Sequence, residues 1–258
     1  MQPLIDAFLA LQTSPSLIPA MLAIGVAGLV RGFAGFGGAM IFMPFASFLF
    51  EPSLAVVTFF LMDSLVTTPL VWNAFKKWDP KTVLPCVIGA WGGVGFGAYL
   101  LATTDALVLR WLICGIIILV VVIMISGLKY TRRPMAPISL GVGGVAGVLG
   151  GVSQVSGPPV VAYWISGPFP AAQVRANMIT FFFLSSVGSA IAFVANGVVT
   201  TQSIGLSAWL GPVYGLAIFA GAYFFKGAND ALFRRVAFAM IVIAAITSLP
   251  LLDPILRG

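Results

Sequence analysis

Long apolar runs dominate the chain and fix its solvent before anything else is known. They fall near 17–50, 54–73, 83–101, 109–128, 138–166, 174–196, 204–224 and 233–250, divided by short charged or turn segments. A crossing needs roughly 20 apolar residues, so the runs predict helical membrane spans. Only 8% of the 258 residues are charged, and 60% are hydrophobic. A soluble domain carries about 25% charged residues. A third of that cannot clothe a water-soluble surface of this size. The expected fold is an all-α integral membrane protein, a single membrane domain over 1–258.

Other classes fall away on residue chemistry. There is no histidine, which removes His-ligated metals and imidazole acid–base catalysis. Cys86 and Cys114 lie inside apolar runs with no metal or redox spacing, so they read as packed thiols. No catalytic triad and no cofactor or metal motif is visible, so the chain is not expected to be an enzyme. The net charge of +6 sits mostly in short loops, where the positive-inside rule accounts for it without nucleic acid. Membrane lipids and a small solute are the expected partners. Residues 1–6 lack a basic stretch, so no cleavable signal peptide is expected.

Two of the eight runs are too long for one helix. Each is interrupted by glycine, at 31–38 (Arg-Gly-Phe-Ala-Gly-Phe-Gly-Gly) and at 150–159 (Gly-Gly-Val-Ser-Gln-Val-Ser-Gly-Pro-Pro). The pieces flanking each break hold about 9–14 residues, or half a bilayer at 1.5 Å per residue. The chain also repeats. Gly32, Gly35 and Pro44 match Gly147, Gly150 and Pro159 at an offset of 115. Gly97-Ala98-Tyr99, then Asp105-Ala106-Leu107 and Arg110, match Gly221-Ala222-Tyr223, then Asp230-Ala231-Leu232 and Arg235. Two halves follow, about 17–128 and 138–250.

Loop charge orients them. Lys76, Lys77 and Lys81, then Lys129, Arg132 and Arg133, mark two loops as cytoplasmic, as do Lys226, Arg234 and Arg235. The loops near 102–108 and 197–203 then face out. The span 54–73 runs outward to inward and its counterpart 174–196 the reverse, so the halves are inverted repeats. Inversion needs an odd number of crossings per half. Each half is therefore expected to be three transmembrane helices plus a broken, re-entrant helical hairpin. Two thin full spans per break satisfy the same parity. Both readings put the termini outside.

Inverted repeats with matching discontinuous helices place a transport site at their interface. The second piece of each hairpin points its positive N-terminal end at that centre, which favours an anion. The expected ligand groups are Arg31, Gly35, Phe36, Gly37 and Gly38 at the first break. At the second they are Ser153, Gln154, Ser156 and Gly157, with Pro158 suited to the first turn. Arg31 offers a fork of donors suited to sulfonate or carboxylate oxygens; as an alternative it snorkels to an interface. Asn177 lies within a span and is assigned to the site. Asp63 lies mid-span, where an acid costs about 2.5–3.5 kcal/mol. It either pairs with Arg31 or carries a proton that couples transport. Thr67, Arg175 and Tyr163 are accessory candidates. Arg175 also suits a cytoplasmic-end anchor, and Thr67 and Thr68 also suit bonds to their own backbone. The glycine sets 28/32, 89/93/97 and 143/147/151 fit small-xxx-small helix packing as well. Most tryptophans sit near span ends, as an interfacial belt would.

The segment 31–39 with Pro44 resembles the first-half signature of the sulfite exporter TauE/SafE family. Gly157-Pro158-Pro159-Val160-Val161 with Tyr163 is similar to its second-half signature. The resemblance runs across nearly the whole chain. It implies a bacterial-type inner-membrane carrier for sulfite, organosulfonates or related sulfur or carboxylate anions, with export and uptake both attributed to members. Many relatives carry a longer glycine run where this chain has Ser153-Gln154-Val155-Ser156. The combined expectation is an alternating-access carrier of sulfite or an organosulfonate such as sulfoacetate. An anion channel or a carrier of non-sulfur carboxylates is the alternative.

Overall fold

The computed structural model describes residues 8–9, 11–12, 14–34, 37–126, 135–165 and 167–224. Among these the regular structure is helical, without strands. The elements are α1 (Leu17–Ala34), α2 (Gly38–Leu49), α3 (Pro52–Thr67), a 3-10 turn (Thr68–Leu70), α4 (Val71–Ala74), α5 (Pro80–Thr103), α6 (Ala106–Ile125), α7 (Ala136–Ser153), α8 (Gly157–Ile165), α9 (Ala171–Ala195) and α10 (Thr201–Phe224). α5, α6, α7, α9 and α10 contain stretches long and apolar enough to cross a bilayer, and α1, α2 and α3 are shorter apolar helices. The chain is an all-α, multi-pass integral membrane protein. The expected span 233–250, the basic residues 129–133 and 226–235, and the second Asp-Ala-Leu string at 230–232 lie outside the described residues, as do Gly35 and Phe36.

Proline marks several helix starts. Pro52 and Pro80 open α3 and α5, and Pro158 is second in α8. Their missing N–H falls where no intrahelical acceptor is due. Pro69 acts the other way. It disfavours helical backbone at the residue before it, and α3 ends at Thr67 in a 3-10 turn.

The described helices fall into two compact units. The first takes residues 1–62, 104–122 and 199–258, and so holds α1, α2, most of α3, α6 and α10. Its seam is α1 on α10. A Cβ on Gly28 would stand 2.7 Å from the Ala217 Cβ and 2.9 Å from the Tyr214 carbonyl oxygen. One on Gly32 would strike the Ile218 carbonyl, and one on Gly221 the Leu29 carbonyl. The backbones touch because these positions carry no side chain. Phe42, Phe59 and Tyr214 continue the core, with ring centroids 5.8 Å and 5.6 Å apart along the chain of contacts.

The second unit takes residues 63–103 and 123–198. Its seam is α5 on α7. Gly89, Gly93 and Gly97 face the backbone of Leu140, Gly144 and Val148, while Gly143, Gly147 and Gly151 face Cys86, Ala90 and Gly97. Both expected small-residue sets are helix packing. Beside this seam lies an aromatic cluster. Trp164 is fully buried and meets Phe181 at 5.8 Å, edge to face, and Tyr163 at 6.1 Å. The Trp91 ring rests on Gly188 and donates from Nε1 to the Leu184 carbonyl at 2.9 Å, locking α9 onto α5. Cys86 and Cys114 are buried free thiols. Trp72 and Trp111, near helix ends, are exposed as an interfacial belt requires, whereas Trp91 lies in the middle of α5.

Both long runs are broken within the expected segments, after Ala34 and after Ser153, but the lengths of the flanking pieces differ from expectation. α1 and α7 hold 18 residues each, about 27 Å at 1.5 Å per residue. That approaches a full hydrocarbon thickness of ~30 Å. α2 and α8 hold 12 and 9 residues, about 18 Å and 14 Å. The expectation of half-bilayer pieces on both sides is therefore corrected for the first arm of each pair. Gly32, Gly147 and Gly151 stay helical because they are packed against partner backbone and no water competes for their carbonyls.

Candidate functional site at the helix breaks

The first break lies between α1 and α2. Arg31 lies in the last turn of α1 and is half-buried. Gly37 sits at φ 93°, ψ −6° as the N-cap of α2. That left-handed backbone is the reason for glycine there, since a side chain would be strained. No side chain caps α2, so its first N–H groups face the break with their positive dipole end. Gly38 is buried against three groups. A Cβ there would lie 2.9 Å from the Tyr214 hydroxyl and 3.4 Å from both the Ala27 carbonyl oxygen and the Arg31 Cβ. The stem of Arg31, the start of α2 and a phenol from α10 thus meet within one unit. Tyr214 was not expected in the site. In the sequence it is one more aromatic on an apolar helix, and only the α1–α10 seam brings it here.

The second break, in the other unit, is built differently. α7 ends at Ser153, and Gln154 takes φ 59°, ψ 13°. It is the only non-glycine residue with positive φ among those described. Its backbone N–H donates to the Gly150 carbonyl at 3.0 Å, and its Nε2 donates to the same oxygen at 2.7 Å. The Ser153 hydroxyl donates to the Leu149 carbonyl at 2.8 Å. The side chains of two expected anion donors are therefore bonded back to carbonyls one turn earlier in α7. Ser156 is half-buried, and its Cβ would lie 3.3 Å from a Cβ placed on Gly150. Gly157 is the buried first residue of α8.

Gln154 supplies a direct test. Left-handed backbone costs a non-glycine residue roughly 1–2 kcal/mol. Gln154 already carries that cost; Gln154→Val loses the amide hydrogen bond and adds β-branched crowding, and is expected to lower stability by about 1–2 kcal/mol. Gln154→Gly removes the strain but also a hydrogen bond worth about 1 kcal/mol, and should come out near neutral. Thermal melting of the detergent-purified variants reads both.

Asn177 has a structural task the sequence did not disclose. It is fully buried on α9, and its Oδ1 accepts the Asp79 backbone N–H at 2.7 Å. Asp79 in turn organises the first turn of α5, accepting from the Lys81 N–H at 3.2 Å and the Thr82 hydroxyl at 3.1 Å. The Asn177 Nδ2 and, one turn on, the Thr180 hydroxyl are buried without a hydrogen-bond partner among the described residues. Such groups call for water or a ligand. Thr180 was also missed, because a threonine in an apolar helix ordinarily bonds its own backbone.

The accessory candidates separate by geometry. Thr67 donates to the Asp63 carbonyl at 2.7 Å and Thr68 to the Ser64 carbonyl at 2.6 Å, the local bonds foreseen as one reading. Tyr163 is buried, and its hydroxyl shares a 2.6 Å bond with Ser139 inside the aromatic cluster. Arg175 is exposed, as an anchor at a helix end would be. Asp63 is half-buried on α3. It opens the second unit, whereas Arg31 belongs to the first. No cluster of acidic or cysteine ligands able to hold a metal occurs among the described residues.

Five apolar helices of crossing length, with shorter apolar helices meeting at an arginine-bearing break, define a polytopic membrane protein. The family described as Sulfite exporter TauE/SafE matches residues 20–248, and the chain belongs to it. No match was found among curated proteins or solved structures. Membership makes this a membrane transporter for sulfite or related sulfur anions.

Proposed function

We propose that the chain carries sulfite or an organosulfonate such as sulfoacetate across a bacterial-type cytoplasmic membrane by alternating access. The observation that carries this reading is the Arg31 stem beside the uncapped start of α2. An anion there meets a full positive charge, a helix dipole and backbone donors together. Arg31, Gly35, Phe36, Gly37 and Gly38 are assigned to the anion at one break, joined by Tyr214. Ser156 and Gly157 are assigned at the other, where Ser153 and Gln154 hold the backbone in shape. The spare Nδ2 of Asn177 and the Thr180 hydroxyl offer two more donors.

The proposed duplication, 17–128 and 138–250, draws support from how each unit is knit. α1 packs on the helix bearing Gly221-Ala222-Tyr223, and α7 packs on the helix bearing Gly97-Ala98-Tyr99. Equivalent elements of the sequence repeat thus make equivalent pairs, each exchanged between halves. Inverted repeats rocking about a fixed site are the usual basis of alternating access.

Proteoliposome uptake with sulfite, taurine, sulfoacetate and matched carboxylates tests the substrate. Saturation with counterflow is expected for the sulfur anions. Equal or better uptake of the carboxylates would move the assignment to a carboxylate carrier, and non-saturating flux to a channel. Asp63 is proposed to couple a proton. Asp63→Asn is expected to abolish accumulation driven by a pH gradient while counterflow persists. Accumulation undiminished in that variant would remove the coupling role.

A further inference from the structure

The repeated string Asp105-Ala106-Leu107 with Arg110 has no part in the transport reading, yet its structure is specific. Asp105 accepts the Leu107 N–H at 2.8 Å and starts α6. Arg110, in the next turn, is buried, with only 6% of its surface exposed. Its guanidinium carbon lies 5.5 Å from the Phe48 ring centroid, a cation–π contact. A groove of about 510 Å³ opens beside it, lined by residues 47–52 of the α2–α3 connection and by Ala106, Leu107 and Arg110. Every wall belongs to the first unit.

Three features restrict what this groove holds. First, it forms where three apolar helices end or begin: α2 at Leu49, α3 at Pro52 and α6 at Ala106. α6 is of crossing length, and the start of a crossing helix lies at the headgroup level of a bilayer. Second, it presents both signs of charge. Arg110 and the exposed Glu51 line the same space. A simple anion drawn to Arg110 would be opposed by the Glu51 carboxylate, whereas a zwitterion satisfies both. Third, an exposed apolar strip leaves the groove along α6, through Leu107 (52% exposed), Val108 (48%) and Trp111 (40%). Trp111 follows the other two at the i+3 and i+4 spacing of helical neighbours, so an acyl chain has a continuous track.

We propose that this groove is a headgroup site for a zwitterionic aminophospholipid, with the phosphate on Arg110 and the primary ammonium on Glu51. An ammonium donates hydrogen bonds to a carboxylate, while a quaternary choline has no N–H to give. The site therefore distinguishes phosphatidylethanolamine from phosphatidylcholine by chemistry and from phosphatidylglycerol by charge. The lipid holds the α2–α3 connection against the start of α6.

The test uses the full chain, delipidated in detergent, with the three lipids added at matched acyl chains. Native mass spectrometry reads retained lipid and thermal melting reads stabilisation. Phosphatidylethanolamine is expected to be retained at least about fivefold more than the other two and to raise the melting midpoint. Glu51→Gln, at an exposed position where folding is not at stake, is expected to abolish the preference over phosphatidylcholine. Arg110→Lys keeps the charge but loses the fork, and is expected to weaken retention of all three lipids. Equal retention of the three by the unmodified chain overturns the proposal, as does a preference that survives Glu51→Gln. Sulfate or phosphate alone stabilising as well as the lipid would mark a site for soluble anions and overturn it too. None of these readouts depends on transport, so they stand apart from the substrate assignment.

Discussion

Gly93→Ala is expected to cost the protein far more than the same change one residue earlier. A methyl on Gly93 would occupy the space of the Gly144 carbonyl oxygen and stand 2.8 Å from the Val148 nitrogen. Both are backbone atoms of α7, so no side chain can swing aside and the two helices must part. Overpacking of this kind costs roughly 1–3 kcal/mol. For a chain of this size that is a fall of about 2–12 °C in melting midpoint. A methyl on Gly92 would meet nothing within 4 Å. Gly92→Ala keeps the contact and gains helix propensity of about 1 kcal/mol, so it should be neutral or slightly stabilising. Gly141, also open, serves as a second control. Detergent melting curves of the three variants decide the matter. Equal midpoints for Gly93→Ala and Gly92→Ala would show that the α5–α7 seam is not held by backbone contact.

That contrast shows which properties are local. The spans were legible because an apolar run ends only where polar or turn residues end it, and α5, α6, α9 and α10 follow the runs. The breaks were legible from the Gly, Ser and Pro punctuation around 35–37 and 154–156. Glycine alone, however, did not say where a helix stops. Gly32, Gly147 and Gly151 remain helical because another backbone covers them. That cover comes from distant parts of the chain, at Ile218, Ala90 and Gly97 respectively. The same distance hid Tyr214, which reaches Gly38 only through the α1–α10 seam, and the task of Asn177, whose acceptor serves Asp79 98 residues earlier. Ser153 and Gln154 looked like ligands since they are the polar residues at the break. Carbonyls one turn earlier in α7 lie nearer than any solute, and both side chains bond back to them. The groove at Arg110 needed two separate segments, 47–52 and 106–110, and no periodicity links them.

Arg31 is where the structural and functional readings can be pulled apart, because they predict different outcomes for two substitutions. In proteoliposomes, Arg31→Gln is expected to raise the half-saturating sulfonate concentration about 10–100-fold. A charge-assisted hydrogen bond contributes about 1.5–3 kcal/mol, and each 1.4 kcal/mol is about a decade. Arg31→Lys keeps a positive charge but not the planar fork, so its affinity should fall between the two. The arginine also sits in the last turn of α1, where any cation offsets the negative dipole end by about 0.3–1 kcal/mol. If that is its whole role, lysine restores wild-type behaviour in full. Glutamine then lowers the melting midpoint slightly and leaves substrate affinity untouched. Tight sulfonate binding by folded Arg31→Gln protein would therefore remove Arg31 from the site. A graded loss from arginine to lysine to glutamine, with melting midpoints nearly level, is what an anion held by this guanidinium against the start of α2 requires.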